Sequence, residues 1–325
     1  MKVAVVHTGD ASAVLRRTWN TREWEAYRDN AAHIASALEV LGHDVIRLTD
    51  GRLLIDALSK LQPNVVWICS GGIQGHDPAT HLPALLEMLG LDYVGSRPLA
   101  AGLADNKARA KAIVSAAGVR TPEFTVVSSG AAPAPAGLPG YPAMVKPVCG
   151  MCSCGVFRAA DFSELEAAVG ELQRRYAADV LIEQFVPGND LTVSVLQDGS
   201  GSIRCLPPLQ RFFADRDDPA FAHFDLPHPS SRLREGVAVA AELGDSMVQA
   251  LSAMAKAAFA GLGLRHFARL DFRVSGSDIW FLEANHKPDL TRTSLFATSA
   301  RLVGLNHPRL IAQILESATG PNGDR

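Results

Sequence analysis

The chain has little of what would tie it to nucleic acid, a membrane or the cell exterior. Basic residues do not exceed acidic ones: 31 Lys and Arg stand against 34 Asp and Glu, a formal net charge of −3. No basic field therefore draws a polyanion or an anionic bilayer to the surface, and the expected partners are small molecules, with neither nucleic acid nor membrane among them. The apolar opening Met1-Lys2-Val3-Ala4-Val5-Val6 gives way at once to polar residues. That run is too short for a secretory core or a span, so the expected compartment is the cytoplasm. Cysteines are few and odd in number: Cys69, Cys149, Cys152, Cys154 and Cys205. In a reducing compartment they read as thiols and not as a disulfide framework. Three of them crowd one loop, but no second Cys or His pair at zinc spacing accompanies them, so they read as small loop residues.

What is present suits a soluble enzyme. At 325 residues, 47% hydrophobic and 20% charged, the chain can build two or three packed lobes. Residues 2–7 read as a buried strand, and 25–41 carry apolar residues at helical spacing up to Gly42. Strands are expected at 45–48 and 65–69, with helices at 53–61 and 82–89. That alternation predicts a parallel α/β lobe. A helix is expected over 105–117, then a Pro/Ala/Gly-rich connection over 130–142. A second, α+β lobe follows, with strands at 143–147 and 180–185 and a helix between them capped by Ser163, with Glu166 as the capping-box acid. Beyond Leu191 the pattern gives two strands, a polar and aromatic loop over 212–233, a helix over 243–262, paired strands at 268–274 and 279–283, and a closing helix at 307–317.

The chemistry concentrates at the last strand pair. Asp271 is followed by Glu283 and Asn285, the latter two separated by one residue and so on one strand face. Hard oxygen donors facing one way suit magnesium shared with phosphate oxygens; the plain alternative is three solvated polar groups around a hairpin. Lys146 ends an apolar strand before a loop carrying Gly150, Ser153 and Gly155, whose backbone donors suit phosphate. Lys107 follows Asp105-Asn106 at a helix start. Ser153 lacks the Gly-x-Ser-x-Gly elbow of a covalent nucleophile.

Together these pieces resemble the D-alanine:D-alanine ligase family of ATP-grasp enzymes over nearly the whole chain. The most specific stretch is FLEANHKPDLTRTS, in which Glu283, Asn285, Pro288, Thr291 and Ser294 keep the family frame, with Arg269-Leu270-Asp271 matching its upstream Arg-x-Asp. The resemblance implies an α/β protein with α+β lobes: a Rossmann-like pre-ATP-grasp domain over 1–96, a small central ATP-grasp domain over 97–186, and a C-terminal ATP-grasp domain with the metal site over 187–325. It implies ATP and two magnesium ions, with manganese as a substitute. Asp271, Glu283 and Asn285 would hold the metal, and Arg269 would neutralise the phosphoryl group in transfer. Lys107 and Lys146 match lysines that contact ATP phosphates, and GMCSCG, with Ser153, stands for the glycine- and serine-rich loop. In LIEQFVPGNDLTV, Glu183 matches the hinge that holds adenine and Asp190 the ribose acid; Phe185 and Leu282 sandwich the base, with Val186 in the same hinge. A homodimer is implied as well.

Four departures fall on the substrate side. The opening after the first strand is longer and richer in Arg and Trp; Glu23 is the candidate amine-binding glutamate, its alternative being a solvated acid at a helix start. The loop FFADRDDPAFAHFDLPHP contains no Lys and no Tyr, where the family has both, leaving Arg216 and His223 as candidate replacements. The serine that partners that tyrosine falls at Cys152. The oxyanion-hole glycine falls at Asp289, flanked by Lys287 and Arg292, which with Ser294 could hold a substrate carboxylate or simply pair with Asp289 and Glu283. The expected activity is thus an ADP-forming amino-acid or amide ligase of a specialised route such as antibiotic biosynthesis, acting through an acyl phosphate. The alternatives are D-alanine:D-alanine ligation itself, an intramolecular ring-closing ligase, and a silent nucleotide-binding protein.

Overall fold

Strand β1 (Lys2–His7) is buried throughout past its first residue, which in a parallel sheet requires cover on both faces. The computed structural model describes residues 1–9, 24–72, 75–149, 155–211, 238–240 and 242–320. In it β1 is followed by α1 (Trp24–Val40), β2 (Asp44–Thr49), α2 (Leu54–Leu61), β3 (Val65–Cys69), α3 (His81–Met88) and β4 (Tyr93–Val94). The strands form a parallel sheet in the order β2-β1-β3-β4. Among the described residues no helix is long and apolar enough to cross a membrane.

Two helices follow, α4 (Pro98–Asp105) and α5 (Lys107–Ala116), of which α5 is the helix expected over 105–117. The break is at Asn106, whose backbone is extended (φ −97°, ψ 101°) and whose side-chain oxygen accepts from the Arg109 N–H at 3.0 Å. A side-chain cap of this kind both ends one helix and starts the next.

The central lobe comprises β5 (Phe124–Val127), β6 (Ala143–Pro147), β7 (Phe157–Ala159), α6 (Phe162–Tyr176) and β8 (Val180–Gln184), an antiparallel sheet in the order β5-β8-β6-β7. The cap of α6 is Asp161 and not Ser163. The Asp161 carboxylate accepts from the Glu164 N–H at 3.0 Å, while Glu164 accepts from the Ala160 N–H at 2.8 Å. The extended backbone at Asp161 puts its carboxylate over the open first turn, and Ser163 is already inside the helix.

The last sheet is built from β9 (Asn189–Gln197), β10 (Ile203–Cys205), β11 (Leu209–Arg211) and β12 (Ala238–Ala240), then, after α7 (Asp245–Gly261), β13 (Phe267–Ser275) and β14 (Asp278–Asn285). Its order is β12-β11-β9-β13-β14, with β10 pairing β9. Helices α8 (Leu295–Arg301) and α9 (His307–Thr319) close the chain.

The cores show how the lobes are joined. Val127, Val145, Leu165, Leu172 and Ile182 form a core within the central lobe alone. Helices α4 and α5 bury Ala104, Ala110 and Val114 with Val193, Leu270, Phe272 and Phe281 of the last sheet, and not with the central core. Trp67 of the first sheet shares a core with Phe267, Phe296 and Ile314, so the first and last lobes pack as neighbours across α1 and α9. Phe267 meets both Trp67 and Phe296, with ring centroids 6.4 and 6.1 Å apart.

Candidate active site

One face of the last sheet is polar because of register. Arg269, Asp271 and Arg273 on β13 lie opposite Ser194, Thr192 and Asp190 on β9, and Arg269 and Asp271 lie opposite Asn285 and Glu283 on β14. Since cross-strand partners share a face and alternate residues repeat it, all of these side chains emerge together. Their neighbours Leu191, Val193, Leu270 and Phe272 go to the opposite face, into the core with α7. Arg211 on β11 pairs with Asp190 and joins the polar face. A bulge between Asp271 and Phe272 shifts the β14 register at Leu282 and keeps Glu283 beside Asp271.

The resulting contacts are charge-assisted. Arg269 grips Asp271 with Nε to Oδ1 and Nη2 to Oδ2, both at 3.0 Å, and Asn285 Nδ2 donates to Asp271 Oδ2 at 3.2 Å. Burial pushes the Asp271 carboxyl upward, but Arg269 and Arg211, with the Arg269 hydrogen bonds, outweigh it and hold it below the usual carboxylate range. Asp190 goes the other way: burial raises it despite Arg273 at 3.3 Å and Arg211. Glu283 is half-buried and pairs with Lys107 across 3.5 Å.

A second knot lies where the central sheet meets α5. Glu183 on β8 takes Lys146 Nζ of β6 on one oxygen at 2.5 Å and Lys111 Nζ of α5 on the other at 2.8 Å. Burial alone would raise Glu183; the two ammonium groups overcome it and bring the carboxyl down to about 2. Burial likewise lowers Lys111, to about 8, with Glu183 opposing. Lys111 also donates to Thr121 Oγ1 at 2.8 Å and to the Phe281 carbonyl at 3.4 Å.

Along the segment after β8, Phe185 is half-buried between the guanidinium of Arg158 at 4.7 Å and that of Arg273 at 5.8 Å from its ring centroid. Val186 is buried, and Gly188 takes φ 128° where an added Cβ would lie 2.1 Å from the Val274 oxygen. Only glycine fits there. Its carbonyl accepts from Arg273 Nη1 at 3.0 Å. Leu282 is half-buried on β14.

The first lobe presents the carboxyl ends of β1, β2 and β3, the usual ligand edge of a parallel sheet. There Asp50 accepts from the Gly9 N–H at 3.0 Å and from the Ser70 hydroxyl, while Thr8 Oγ1 accepts from the Gly71 N–H at 3.0 Å. Lys287, just after β14, donates to the Ser70 carbonyl at 2.7 Å and so joins this edge to the last sheet.

The remaining candidates divide. Asp289 accepts from both the N–H and the hydroxyl of Thr291 at 2.9 Å, a local turn. Ser294 Oγ caps α8 by accepting from the Ala297 N–H at 3.1 Å. Arg292 is exposed, its carbonyl taken by Arg301. Glu23, Cys152, Ser153, Arg216 and His223 lie outside the described residues. Three cations went unnoticed in the sequence. Lys111 is four residues beyond Lys107 on the same helix, Arg273 two beyond Asp271 on the same strand face, and Arg211 lies opposite Asp190 only once β11 is paired; the first two spacings were readable.

Among the described residues no three His, Cys, Asp or Glu groups cluster as a metal cage. Asp271 and Glu283, with the amide oxygen of Asn285, nonetheless offer hard donors on one face. Two carboxylates completed by phosphate oxygens and water are what magnesium accepts, so the donor set fits.

A polar sheet face carrying a guanidinium-held aspartate stands with an antiparallel central sheet carrying buried Lys146 in an ATP-grasp fold, and the family that matches makes the chain an ATP-dependent, ADP-forming C–N ligase. Residues 113–316 match the family described as D-ala D-ala ligase C-terminus, and the chain belongs to the D-alanine:D-alanine ligase family. It is similar to the D-alanine–D-alanine ligase of Moorella thermoacetica, at 29% identity over 99% of this chain and 100% of that one. Its fold is that of the D-alanine–D-alanine ligase of Bacillus anthracis solved with ATP, at TM-score 0.78 and 20% identity over 98% and 97% of the two chains. The VanG D-Ala:D-Ser ligase of Enterococcus faecalis has the same fold, at TM-score 0.74 and 17% identity over 98% and 99%.

Proposed function

We propose that this chain joins the carboxylate of one amino acid, or amino-acid-like molecule, to the amine of another in a specialised biosynthetic route. The observation that carries the reaction class is the convergence of Arg269, Asp271, Glu283 and Asn285 on one sheet face, with Lys107 reaching Glu283 from α5. ATP lies between this face and the central lobe, its phosphates met by Lys107 and Lys146 and its base beside Phe185, Val186 and Leu282, with Glu183 and Asp190 as the polar contacts. Asp271, Glu283 and Asn285 would hold two magnesium ions, which when bound would neutralise phosphate charge and leave the terminal phosphorus electrophilic. A carboxylate oxygen of the first substrate attacks the γ-phosphorus and ADP departs; Arg269 stabilises charge on the moving phosphoryl group. The second substrate's amine attacks the acyl carbon, phosphate leaves, and the amine's proton is lost to solvent or base. Lys287 holds the edge of the substrate chamber by its bond to Ser70, and Ser294 caps α8 after it in the chain.

The substrate reading rests on the residues that differ: Cys152 in place of a serine, a run over 212–229 with neither Lys nor Tyr, and Asp289 between Lys287 and Arg292. The rival is D-alanine:D-alanine ligation itself, favoured by end-to-end likeness to the Moorella enzyme. ADP release from ATP and magnesium across D- and L-amino acids, singly and paired, with products weighed by mass spectrometry, separates the two. A product only from a pair other than D-alanine with itself supports the proposal. D-alanyl-D-alanine from D-alanine alone refutes it, and no ADP with any substrate removes the ligase reading.

A further inference from the structure

Lys111 has no solvent exposure, yet it carries an ammonium group. Such a group is retained in a core only where its partners require it. Its partners come from two strands and a connection: Glu183 of β8 at 2.8 Å, the Phe281 carbonyl of β14 at 3.4 Å, and Thr121 between α5 and β5 at 2.8 Å. It therefore spans the seam between the central and last sheets. Glu183 is shared, with Lys111 on Oε2 and Lys146 on Oε1. The two lysines differ in one respect. Lys146 is slightly open to solvent at the end of β6, whereas Lys111 is enclosed and tied on three sides.

We propose that Lys111 is a positioning residue for nucleotide binding: it keeps Glu183 compensated and in place when Lys146 leaves that carboxylate for the phosphates of ATP. The inference rests on the reading that Lys146 faces phosphate. Without Lys111, the move of Lys146 would strand a carboxylate with only 3% exposure, and that penalty would oppose nucleotide binding. With Lys111 present, one ammonium stays behind while the other is free to move. The arrangement explains why a single buried acid has two lysines, and why the second comes from the helix that also delivers Lys107 to Glu283.

The test is a double-mutant cycle read on ligand affinity. AMP-PNP with magnesium and plain adenosine are titrated against the wild type, Lys111→Met, Glu183→Gln and the double variant. Lys111→Met should weaken AMP-PNP by about tenfold or more and adenosine by less than about twofold, since only a phosphate-bearing ligand calls Lys146 away. In the Glu183→Gln background, Lys111→Met should change AMP-PNP affinity by less than about twofold, because the charge it serves is gone. Equal losses for AMP-PNP and adenosine, or a Lys111→Met effect of the same size in both backgrounds, would mean a packing role and overturn the proposal. Where Lys111→Met alone does not fold, the comparison of Glu183→Gln with the double variant decides: equal affinity supports it and further loss sinks it. A wild type that binds adenosine but gains nothing from the phosphates of AMP-PNP would instead defeat the ATP-phosphate reading, and this inference with it.

Discussion

Acid should loosen the junction of the first and last lobes through one histidine, His266. It is 5% exposed and sits in the left-handed region at φ 65°. Its Nδ1 accepts from the Gly95 N–H at 3.0 Å, and its backbone N–H donates to the Gln197 side-chain oxygen at 3.1 Å, while Arg265 beside it holds the Gly95 carbonyl at 2.8 Å. An imidazole nitrogen that accepts cannot carry a proton. Burial, reinforced by Arg265, brings its pKa from 6.5 down to about 3. The unfolded chain therefore takes up a proton below pH 6.5 that the folded chain refuses until about pH 3. Stability from this group is complete above 6.5 and is lost at about 1.4 kcal/mol per pH unit below it. At pH 5 the loss is about 2 kcal/mol. The comparison is His266→Asn, which offers an amide oxygen to Gly95 and tolerates positive φ. Urea unfolding followed by tryptophan fluorescence at pH 7.5 and 5.0 should show the wild type losing about 2 kcal/mol more than the variant. Parallel losses within about 0.5 kcal/mol would refute the assignment.

Asp271→Asn should lower ADP release by about a hundredfold or more while circular dichroism stays native, because the group between Arg269 and Arg211 loses its charge; undiminished turnover would remove it from the site. Chelation of divalent metal with EDTA should abolish ADP release and weaken AMP-PNP far more than adenosine; unchanged AMP-PNP affinity would count against Asp271, Glu283 and Asn285 as metal ligands. Gly188→Ala should cost about 2–4 kcal/mol in urea unfolding, since its Cβ would collide with the Val274 oxygen. Phe272→Ala, emptying a fully buried site whose ring lies 5.9 Å from Phe281, should cost about 3–5 kcal/mol by the same assay.

The sequence was most legible where periodicity and burial agree. Residues 65–69 form an unbroken apolar run and are a strand with those bounds. Legibility failed where a side chain competes for backbone donors. The helix expected over 105–117 is begun two residues later by the Asn106 cap, and Asp161 captures the start of α6 two residues before Ser163. At the site, Asp271, Glu283 and Asn285 could be grouped because two strands adjacent in sequence carry them. Arg211 could not, because its partner Asp190 is on a strand separated from it by β10 and a turn. Lys111 could be placed on the face of Lys107 by its four-residue spacing, but in the Ala-rich run KARAKAIVSA nothing marked it as buried. Lys287 offered a substrate contact, and what the fold shows is a bond to Ser70 that no local pattern encodes.

The charges of the two knots, taken together, bear on how much of the phosphate the protein can neutralise unaided. The cations are Arg211, Arg269, Arg273, Lys107, Lys111 and Lys146; the anions are Asp190, Asp271, Glu283 and Glu183. Most are engaged with one another, and the surplus is two positive charges. A triphosphate brings about four negative charges at neutral pH, and a substrate carboxylate one more. Side chains alone would leave a buried excess of negative charge, which a low-dielectric cleft does not tolerate. Two divalent cations, held as proposed by Asp271, Glu283 and Asn285, would bring the balance close to neutrality. On the proposed function, the arginines and lysines of this face would be held in place by acids until phosphate competes for them. Glu183 differs from the other three acids in lying on the central sheet, where the fold supplies it with a second, buried lysine.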